Sequence, residues 1–413
     1  MDPATDRRTQ CCIAGGGPAG MMLGYLLARS GVQVTVLEKH DDFLRDFRGD
    51  TIHPSTLTVL DDLGLLEQFL ELPHQEIEEL TGEVYGQVVT IADFRHLPAA
   101  RPFLVLVPQW DFLDFMADHA NLLPGFTLRM GARATAVIEE DGKVVGVRVQ
   151  DKDGEYAIRA DLVVAADGRH TTLRASAGLA SVDLGAPIDV LWFRLPRDAA
   201  THPSRTGGVI QPGAMLVTLN RDTYWQCAFV IPKGSLAALQ QEGIEAFRGR
   251  VARTAPFLTP EVTALASWDD VKLLSVQIAE MPQWWRDGLL CIGDAAHAMS
   301  PVGGVGINLA IQDAVATANL LAARLRQGTL RTEDLRAVQK RRQWPARVTQ
   351  RAQVAVQNEV LSPLLARSEA PAQPPIAVRL LQRLPLLRRL PARMVGIGVR
   401  PERVRVAAFI PPP

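Results

Sequence analysis

The chain has 413 residues, of which 47% are hydrophobic and 22% charged. This length suggests two or three domains, each with a buried core. Its formal net charge of −1 favours neither nucleic acid nor a membrane as a general partner. Its four cysteines form no CxxC pair and no Cys/His cluster, so neither a metal site nor a redox dithiol is indicated. The N-terminus lacks an apolar signal core and no apolar run reaches about 18 residues, which predicts a cytoplasmic protein without a transmembrane segment.

The first predicted unit along the chain is a strand, a helix and a second strand. An apolar strand over 11–14 leads into the glycine-rich GGGPAG of residues 15–20. An apolar helical pattern follows and stops at Gly31. Residues 32–37 then alternate as a second strand, which ends on Glu38. This order and spacing are typical of a dinucleotide-binding unit.

Each part of this unit has a physical role toward a dinucleotide. Gly15 permits a tight turn, Gly17 lets backbone approach a pyrophosphate, and Gly20 lets helix and strand pack closely. The free N–H groups and positive end of the helix hold phosphate. Glu38 can accept hydrogen bonds from both ribose hydroxyls and would repel a 2′-phosphate, which argues against NADP here. The alternative is a plain turn between strand and helix, and the motif alone does not separate FAD from NAD.

Residues 39–180 are predicted to contain helices and a β meander with hairpin turns at Asp141-Gly142 and Asp153-Gly154. The predicted helices cover 55–63, 65–70 and 110–122, and the predicted strands cover 82–91, 103–107, 135–139, 144–149 and 156–159. A continuous apolar run over 161–166 is typical of a central parallel strand. This run ends in Asp167-Gly168-Arg169.

Residues 181–284 change to strands separated by polar loops, which predicts an antiparallel sheet. The predicted strands cover 190–195, 213–219, 224–231 and 268–278, with one helix around 235–254. The chain then returns to the first pattern: a buried strand over 289–292 leads into GDAAH at 293–297. A glycine turn over 301–306 precedes a long helix over 307–325, and a further helix covers about 332–360.

From residue 363 the composition shifts to proline and arginine with scattered leucine. Residues 367–413 contain nine arginines against only Glu369 and Glu402, which predicts a basic, partly amphipathic helical appendage. One interpretation is a helix packed on the nucleotide-binding domain with a solvated arginine face. The other is a surface that touches anionic lipid or a carrier-bound substrate.

Three motifs follow strand ends: GGGPAG at 15–20, ADGRH at 166–170 and GDAAH at 293–297, the last continuing as AMSPVGGVGINLAIQDA. Open α/β sheets bind ligands at strand ends. In this order and spacing, the trio resembles the flavin-dependent aromatic hydroxylases, the para-hydroxybenzoate hydroxylase family of single-component monooxygenases. The resemblance covers about residues 8–325.

The resemblance, together with the strand and helix pattern, implies an α/β fold. A Rossmann-like FAD-binding domain is expected over 1–74, 100–180 and 285–362. It would be interleaved with an antiparallel β-sheet substrate domain over 75–99 and 181–284. Residues 363–413 form the basic C-terminal helical segment.

The family pattern also implies roles for particular residues. Gly15, Gly17, Gly20 and Glu38 would hold the ADP half of FAD, Asp294 the ribityl chain, and the 301–306 loop would run beside the isoalloxazine ring. The full set of expected cofactor-binding positions is Gly15, Gly17, Pro18, Ala19, Gly20, Glu38, Lys39, Arg48, Gln109, Asp167, Gly168, Gly293, Asp294, Pro301, Gly303, Gly304, Val305, Gly306, Ile307 and Asn308. Asp167 and Gly168 would serve both FAD and nicotinamide docking. A helix starting near Ile307 would aim its positive end at the flavin pyrimidine ring.

Plainer interpretations stand beside these roles. Asp294 could cap the turn after its strand, and Asp167-Gly168 could be an ordinary β-turn. Arg48 and Arg169 could be solvated surface charges. His297 is better interpreted as a hydrogen-bonded structural histidine than as a catalyst.

In this family NAD(P)H reduces FAD, O₂ adds to the reduced ring, and a flavin hydroperoxide delivers one oxygen atom to an aromatic substrate. The flavin performs the chemistry, so no catalytic side chain is expected. Candidate substrate contacts come from the second sheet and are mostly apolar: Trp192, Arg194, Met215, Tyr224, Gln226 and Phe229. Such a lining suggests an aromatic or polycyclic substrate. Alternatives are a halogenase or a prenyl-chain reductase of the same superfamily, or a non-enzymatic flavoprotein.

Overall fold

The computed structural model describes residues 7–44, 51–198, 200, 206–366 and 376–408. Its largest sheet has eight strands with a parallel centre. In spatial order the strands are Trp285–Arg286, Leu289–Cys291, Gly154–Ala165, Arg7–Ala14, Val34–Leu37 and Phe126–Arg129, and the meander strands Lys143–Asp151 and Arg133–Glu140 extend it from Gly154–Ala165. The central strands are buried on both faces, which explains why they read as continuous apolar runs rather than as alternating patterns.

Helices cover this sheet and bury its faces in one large apolar core. They are Pro18–Arg29, Pro54–Leu63, Leu66–Leu70, Gln109–Asn121, Thr172–Ser176, Asp294–His297, Gly306–Arg326 and Thr332–Val356, the last followed by a π-helical turn Gln357–Leu361 and the short helix Ser362–Leu365. The helices Pro18–Arg29 and Gly306–Arg326 pack against each other. By length and composition, one stretch within the described residues, Val302–Arg326, could cross a membrane, but 72% of its apolar window is buried inside the protein, as expected of a core helix.

The second sheet has seven strands and is mostly antiparallel. In spatial order they are Lys272–Leu274, Ile188–Pro196, Tyr224–Pro232, Ala214–Asn220, Gly207–Gln211, Glu79–Val84 and Gln87–Asp93. One face is covered by helices Leu236–Glu242 and Ile244–Thr254 and by 3₁₀ turns Pro256–Leu258 and Glu261–Ala264. A parallel pairing of Gly207–Gln211 with Glu79–Val84 joins the two chain segments that build this sheet.

Two details of the second sheet correct the sequence-based prediction. The single helix expected around 235–254 is two helices, because Gly243 adopts a φ of +89° that ends the first one. The strand expected over 268–278 is a 3₁₀ turn, Trp268–Asp270, followed by the short strand Lys272–Leu274. Ser267 and Asp270 form a capping box there, which holds the backbone in the turn.

Two small sheets and a C-terminal segment complete the described structure. Strands Thr51–Ile52, Leu104–Leu106 and Gln75–Ile77 form one small sheet, and Val182–Asp183 pairs with Ala279–Glu280 in the other. The C-terminal segment has helices Ile376–Arg383 and Arg389–Gly396, joined through the 3₁₀ turn Pro385–Arg388. These helices pack on the edge strand Gln87–Asp93 of the second sheet, and Val395 of the second helix also packs against the large core of the nucleotide-binding part.

Candidate functional site

Four parallel strands end side by side at one edge of the large sheet. Ala14 pairs in register with Leu37 on one side and with Ala165 on the other, and Ala165 pairs with Cys291. The residues that follow these strands are the predicted motifs at Gly15, Glu38 and Asp167, together with the one at 293–297. The register of the sheet therefore brings all three motifs and the acidic residue to a single edge, as the sequence pattern predicted.

The glycine turn at this edge has little space for side chains at two positions and open space at a third. A Cβ atom on Gly15, whose φ is +106°, would lie 2.4 Å from the carbonyl oxygen of Ala166. On Gly20 it would lie 1.9 Å from the carbonyl oxygen of Gly15, whereas on Gly17 it would meet nothing within 4 Å. The turn thus packs tightly against the sheet and opens outward at Gly17.

The helix that follows this turn begins at Pro18, and within the described residues no side chain caps its N-terminus. Its first-turn N–H groups, including those of Ala19 and Gly20, are the donors that a phosphate group needs. Tight packing behind the turn, open space in front of Gly17 and uncapped amides fit a pyrophosphate, so the residues present suit the dinucleotide that the motif predicted.

Glu38 lies directly beside the glycine turn. Its Oε2 accepts a hydrogen bond from the backbone N–H of Gly16 at 3.0 Å, and its Oε1 accepts one from the N–H of His40 at 3.1 Å. These bonds orient the carboxylate at the end of the second strand. Lys39, the next residue, is exposed to solvent.

Asp167 follows the Gly154–Ala165 strand and points toward the next helix. Its Oδ2 accepts from the N–H of Thr172 at 3.0 Å, while its Oδ1 is buried without a hydrogen-bond partner among the described residues. Burial raises the pKa of this carboxyl above its ordinary value, although hydrogen bonds from Thr171 and nearby amides oppose the shift. Gly168 beside it has a φ of +82° with open space at its Cβ position.

Two arginines connect the second motif to the third. The Nη2 atom of Arg169 lies 3.8 Å from the Oδ2 of Asp294, which begins the short helix Asp294–His297. Arg174 donates to the carbonyl oxygen of Ala295 at 3.1 Å. Arg169 is thus paired at the candidate site rather than solvated, and it places a positive charge beside the aspartate that was predicted to hold the ribityl chain.

At Gly293 the third motif lies against two helices, Pro18–Arg29 and Gly306–Arg326. Its φ is +60°, and a Cβ atom there would lie 3.2 Å from the Cβ of Ala310 and 3.4 Å from the Cβ of Ala19. Only glycine allows the long helix Gly306–Arg326 and the first helix to approach the turn this closely.

The glycine loop before the long helix is held by its neighbours. Gly303 and Gly304 have φ values of +79° and +63°, and a Cβ atom on Gly304 would lie 3.2 Å from the Oγ1 of Thr51. Among the described parts of the chain, no side chain caps the long helix that begins at Gly306. The flanking loop residues differ in exposure: Pro301 and Ile307 are half-buried and Val305 is buried. The uncapped helix start leaves backbone donors facing the loop.

The side chain of Asn308 makes contacts that the sequence did not indicate. Its Oδ1 accepts from the N–H of His53 at 2.8 Å and from the hydroxyl of Thr56 at 2.7 Å, and its Nδ2 donates to the carbonyl of Thr51 at 3.0 Å. The side chain is buried and saturated by these bonds. The Asn308 side chain therefore ties the long helix to the 51–56 segment. Its backbone N–H lies in the first turn of that helix, so the expected place of Asn308 beside the cofactor stays a prediction.

Sequence reasoning missed His53, which lies behind the glycine loop. It is fully buried; its Nδ1 donates to the carbonyl of Val395 at 2.7 Å, and its Nε2 has no hydrogen-bond partner among the described residues. Burial lowers the pKa of His53 to about 4, against the opposing effect of the bond to Val395. Its partners are 255 and 342 residues away along the chain, so no local pattern could have indicated this role.

A buried ionic cluster also lies behind Gly293. The Asp313 cluster consists of Asp313, His297, Arg342 and Glu402, none more than 4% exposed. Asp313 accepts from the Nε2 of His297 at 2.5 Å and from the Nε of Arg342 at 2.9 Å, and its Oδ2 accepts from the N–H of Gly293 at 3.1 Å. His297 is thus a hydrogen-bonded structural histidine, as predicted.

The same cluster extends into the C-terminal segment. Arg342 donates to the carbonyl of Arg400 at 3.0 Å and to Glu402 at 3.4 Å, and Arg341 donates to both oxygens of Glu402. Burial alone raises the pKa of Asp313, but His297 and Arg342 outweigh it and hold that pKa below its ordinary value. The cluster therefore links the turn at Gly293 to residues more than 100 positions later.

Five of the six predicted substrate contacts share one face of the second sheet. Trp192 and Met215 pack with Val302 of the glycine loop, around Val190, Ala228 and Val230. Because side chains alternate along a strand, Arg194, Tyr224 and Gln226 lie on this same face. The guanidinium of Arg194 stands 5.1 Å from the ring centre of Tyr224.

The prediction for Phe229 is wrong. Its ring packs 5.5 Å from that of Phe247 in the core beneath the helices, on the opposite face of the sheet. The odd-numbered positions of Tyr224–Pro232 all point to that core, so the strand's period of two excludes Phe229 from the face that holds Val302.

Two further predicted positions have less structural definition. Gln109 is half-buried and is the first residue of helix Gln109–Asn121. Burial raises the pKa of Asp111 in the same helical turn, and the positive charge of Arg221 partly opposes that rise. Arg48 lies outside the described residues.

Residues 8–352 match a family model described as an FAD binding domain. The chain is 34% identical to 6-methylpretetramide 4-monooxygenase of Streptomyces rimosus, over 98% of the chain and 96% of that protein. It is 29% identical to a 12-dehydrotetracycline 5-monooxygenase/anhydrotetracycline 6-monooxygenase of the same species, over 75% of the chain but only 61% of that longer protein. The fold is also similar to p-nitrophenol 4-monooxygenase of Pseudomonas putida, with a TM-score of 0.75 and 20% identity, over 95% of the chain and all of that structure.

Proposed function

Because this chain belongs to the family of FAD-dependent aromatic monooxygenases, we propose that it inserts one oxygen atom from O₂ into a polycyclic aromatic phenol, with NAD(P)H as electron donor. That the enzyme is a monooxygenase and that its cofactor is FAD follow from the family. The polycyclic substrate is our inference, supported by relatives named for pretetramide and tetracycline substrates.

One observation carries the substrate proposal: an apolar sheet face lies against the loop that precedes the long helix. Val302 of that loop packs in one apolar cluster with Trp192 and Met215. Flat aromatic and thioether side chains suit a fused-ring substrate, and the exposed guanidinium of Arg194 on the same face can donate to phenolic or carbonyl oxygens. This face would hold the substrate beside the glycine loop and keep water away from the substrate.

The protein's own contribution is binding, orientation and charge. The amides at the start of Pro18–Arg29 would hold the diphosphate, and Glu38 the adenosine ribose. The uncapped start of the long helix at Gly306 places positive potential beside the loop, which stabilises negative charge there. Electron acceptance from NAD(P)H and activation of O₂ are supplied by FAD when it is bound.

We also propose that Asp294 positions the ribityl side of FAD and that Asp167 helps to dock the nicotinamide. Arg169, 3.8 Å from Asp294, supports a polar site at that strand end. The unpartnered Oδ1 of Asp167 supports a further role beyond its bond to Thr172. We divide the chain as the sequence suggested, into FAD-binding residues 1–74, 100–180 and 285–362 and substrate-binding residues 75–99 and 181–284.

The test is substrate-stimulated oxidation of NAD(P)H by the FAD-loaded enzyme. Fused tetracyclic phenols should accelerate O₂ uptake and yield a product heavier by one oxygen atom, whereas 4-nitrophenol should not. Trp192→Ala should weaken the response to tetracyclic phenols. Trp268→Ala is the matched control, because Trp268 is also half-buried but stacks on Phe247 at the opposite face. Equal effects of the two substitutions, or preference for monocyclic phenols, would overturn the proposed substrate class.

A further inference from the structure

The two C-terminal helices present an unusual outer surface. We call residues 376–396 the C-terminal hairpin. Six of its aliphatic side chains are between 38% and 69% exposed, in two rows with a spacing of four residues: Ile376, Leu380 and Leu384, then Leu386, Leu390 and Met394. Residues four apart share one face of a helix, so Ile376 and Leu380 form an exposed apolar stripe on the first helix, and Leu390 and Met394 form one on the second. Leu384 and Leu386 extend the stripes into the 3₁₀ connection between the helices.

Positive charge surrounds these stripes. The hairpin contains five arginines and neither an acidic residue nor a lysine, although the whole chain has a net charge of −1. Arg383, Arg389 and Arg393 are exposed, and within the described parts of the chain their side chains have no carboxylate partner. Exposed aliphatic rows flanked by arginine are the composition of helices that lie in a membrane interface.

The inner face of the hairpin is fixed to the catalytic side of the molecule. Ala392 is fully buried with Phe94 and Leu104, and a Cβ atom on Gly396 would lie 2.7 Å from Leu97. The carbonyl of Val395 accepts a hydrogen bond from His53, and the side chain of Val395 lies near Gly303 of the glycine loop. The outer surface is therefore held in a defined orientation next to the candidate site.

We propose that the C-terminal hairpin docks the enzyme on an anionic lipid surface. Arginine provides the charge complementarity to anionic headgroups, and the leucine rows provide the apolar area that enters the acyl boundary. The exposed rows are entirely aliphatic, whereas protein–protein interface cores are enriched in aromatic residues, so a membrane fits this surface better than a protein partner does. Docking would bring the site to the phase where apolar polycyclic compounds concentrate. That consequence rests on the proposed function, whereas the binding itself does not.

Vesicle binding of the full-length, FAD-loaded protein tests this. It should co-sediment with phosphatidylglycerol-containing vesicles at low salt, but not with pure phosphatidylcholine or at high salt. At about 1 kcal/mol for each arginine near the surface, the triple variant R383Q/R389Q/R393Q should bind on the order of a hundredfold more weakly. L386Q/L390Q should also weaken binding, while Leu122→Gln, at an 81% exposed leucine in another part of the surface, should not.

Two results would overturn the proposal. One is the absence of anionic vesicle binding at low salt. The other is self-association that L386Q/L390Q abolishes without any vesicle binding, which would assign the surface to a second copy of the chain. Unchanged FAD absorbance and melting temperature in each variant show that the fold is intact. Substrate-stimulated O₂ uptake, measured without vesicles, reports separately on the proposed function.

Discussion

Replacing Arg342 by methionine should strongly destabilise the protein and loosen its hold on FAD. The guanidinium is 1% exposed and balances Asp313, which is fully buried, and Glu402, which is 4% exposed. Removing one partner of a buried ion pair leaves an uncompensated charge and typically costs about 3–5 kcal/mol. Methionine fills most of the volume, so the loss reflects charge rather than a cavity.

Arg341→Met is the matched control. Arg341 also binds Glu402, through Nε at 2.6 Å, but its side chain is 29% exposed and it does not contact Asp313. A pair that solvent reaches contributes about 0–1 kcal/mol. The urea midpoint of the FAD-free protein should therefore fall much further in Arg342→Met than in Arg341→Met, at an unchanged slope of free energy against urea.

A second substitution separates charge from packing. Adding Asp313→Asn to the Arg342→Met variant removes the carboxylate that has lost its arginine partner and should recover part of the lost stability. FAD affinity, measured by flavin fluorescence, should fall in Arg342→Met, because Asp313 also holds the N–H of Gly293. If Arg342→Met and Arg341→Met differ by less than about 1 kcal/mol, the Asp313 cluster does not stabilise the turn in the way described here.

Further predictions concern the strand-end edge and His53. Gly20→Ala should prevent FAD binding or folding, because its Cβ would lie 1.9 Å from a carbonyl oxygen, whereas Gly17→Ala should fold normally, by circular dichroism, yet bind FAD weakly. Asp294→Ala should lose FAD on gel filtration. Asp167→Ala should retain more FAD but be reduced by NAD(P)H about a hundredfold more slowly in anaerobic stopped flow, with dithionite reduction intact; a wild-type rate would remove the docking role. His53 has a folded-state pKa of about 4, below its unfolded value, so its neutral form contributes stability at pH 7 that is lost as pH falls from about 6.5 to 4, by up to about 3 kcal/mol. His53→Gln should flatten that part of the pH profile of thermal stability.

The cofactor edge was predictable because its signals are local. Each strand end is followed within a few residues by its glycine or aspartate, and the parallel register then aligns Ala14, Leu37, Ala165 and Cys291 without further information. Residue roles within the edge were less predictable. Asn308 follows the glycine loop as expected, yet its amide is used by the 51–56 segment.

Features that depend on distant pairing were not predictable. Phe229 and Gln226 belong to the same apolar strand but point to opposite faces of the sheet. Only the position of the covering helices decides which of these two sheet faces meets Val302. Glu402 was counted as one of two acids in a basic tail, although it closes a buried cluster with Arg342. No sequence spacing relates residues 60 positions apart, because nothing local depends on their contact.

The order in which the four strand ends occur along the chain has a consequence for biosynthesis. The strand that ends at Cys291 completes the edge, and the ribosome adds it only after all the strands of the second sheet. Glu402, which binds Arg342 behind this edge, follows about a hundred residues later. Domains tend to fold as they emerge, N-terminal parts first, but here the early strands wait for a late one. Such long-range pairing slows folding. The nascent chain therefore completes its FAD site only near the end of translation, and a protein stopped before residue 402 lacks one of the two carboxylates that bind Arg342.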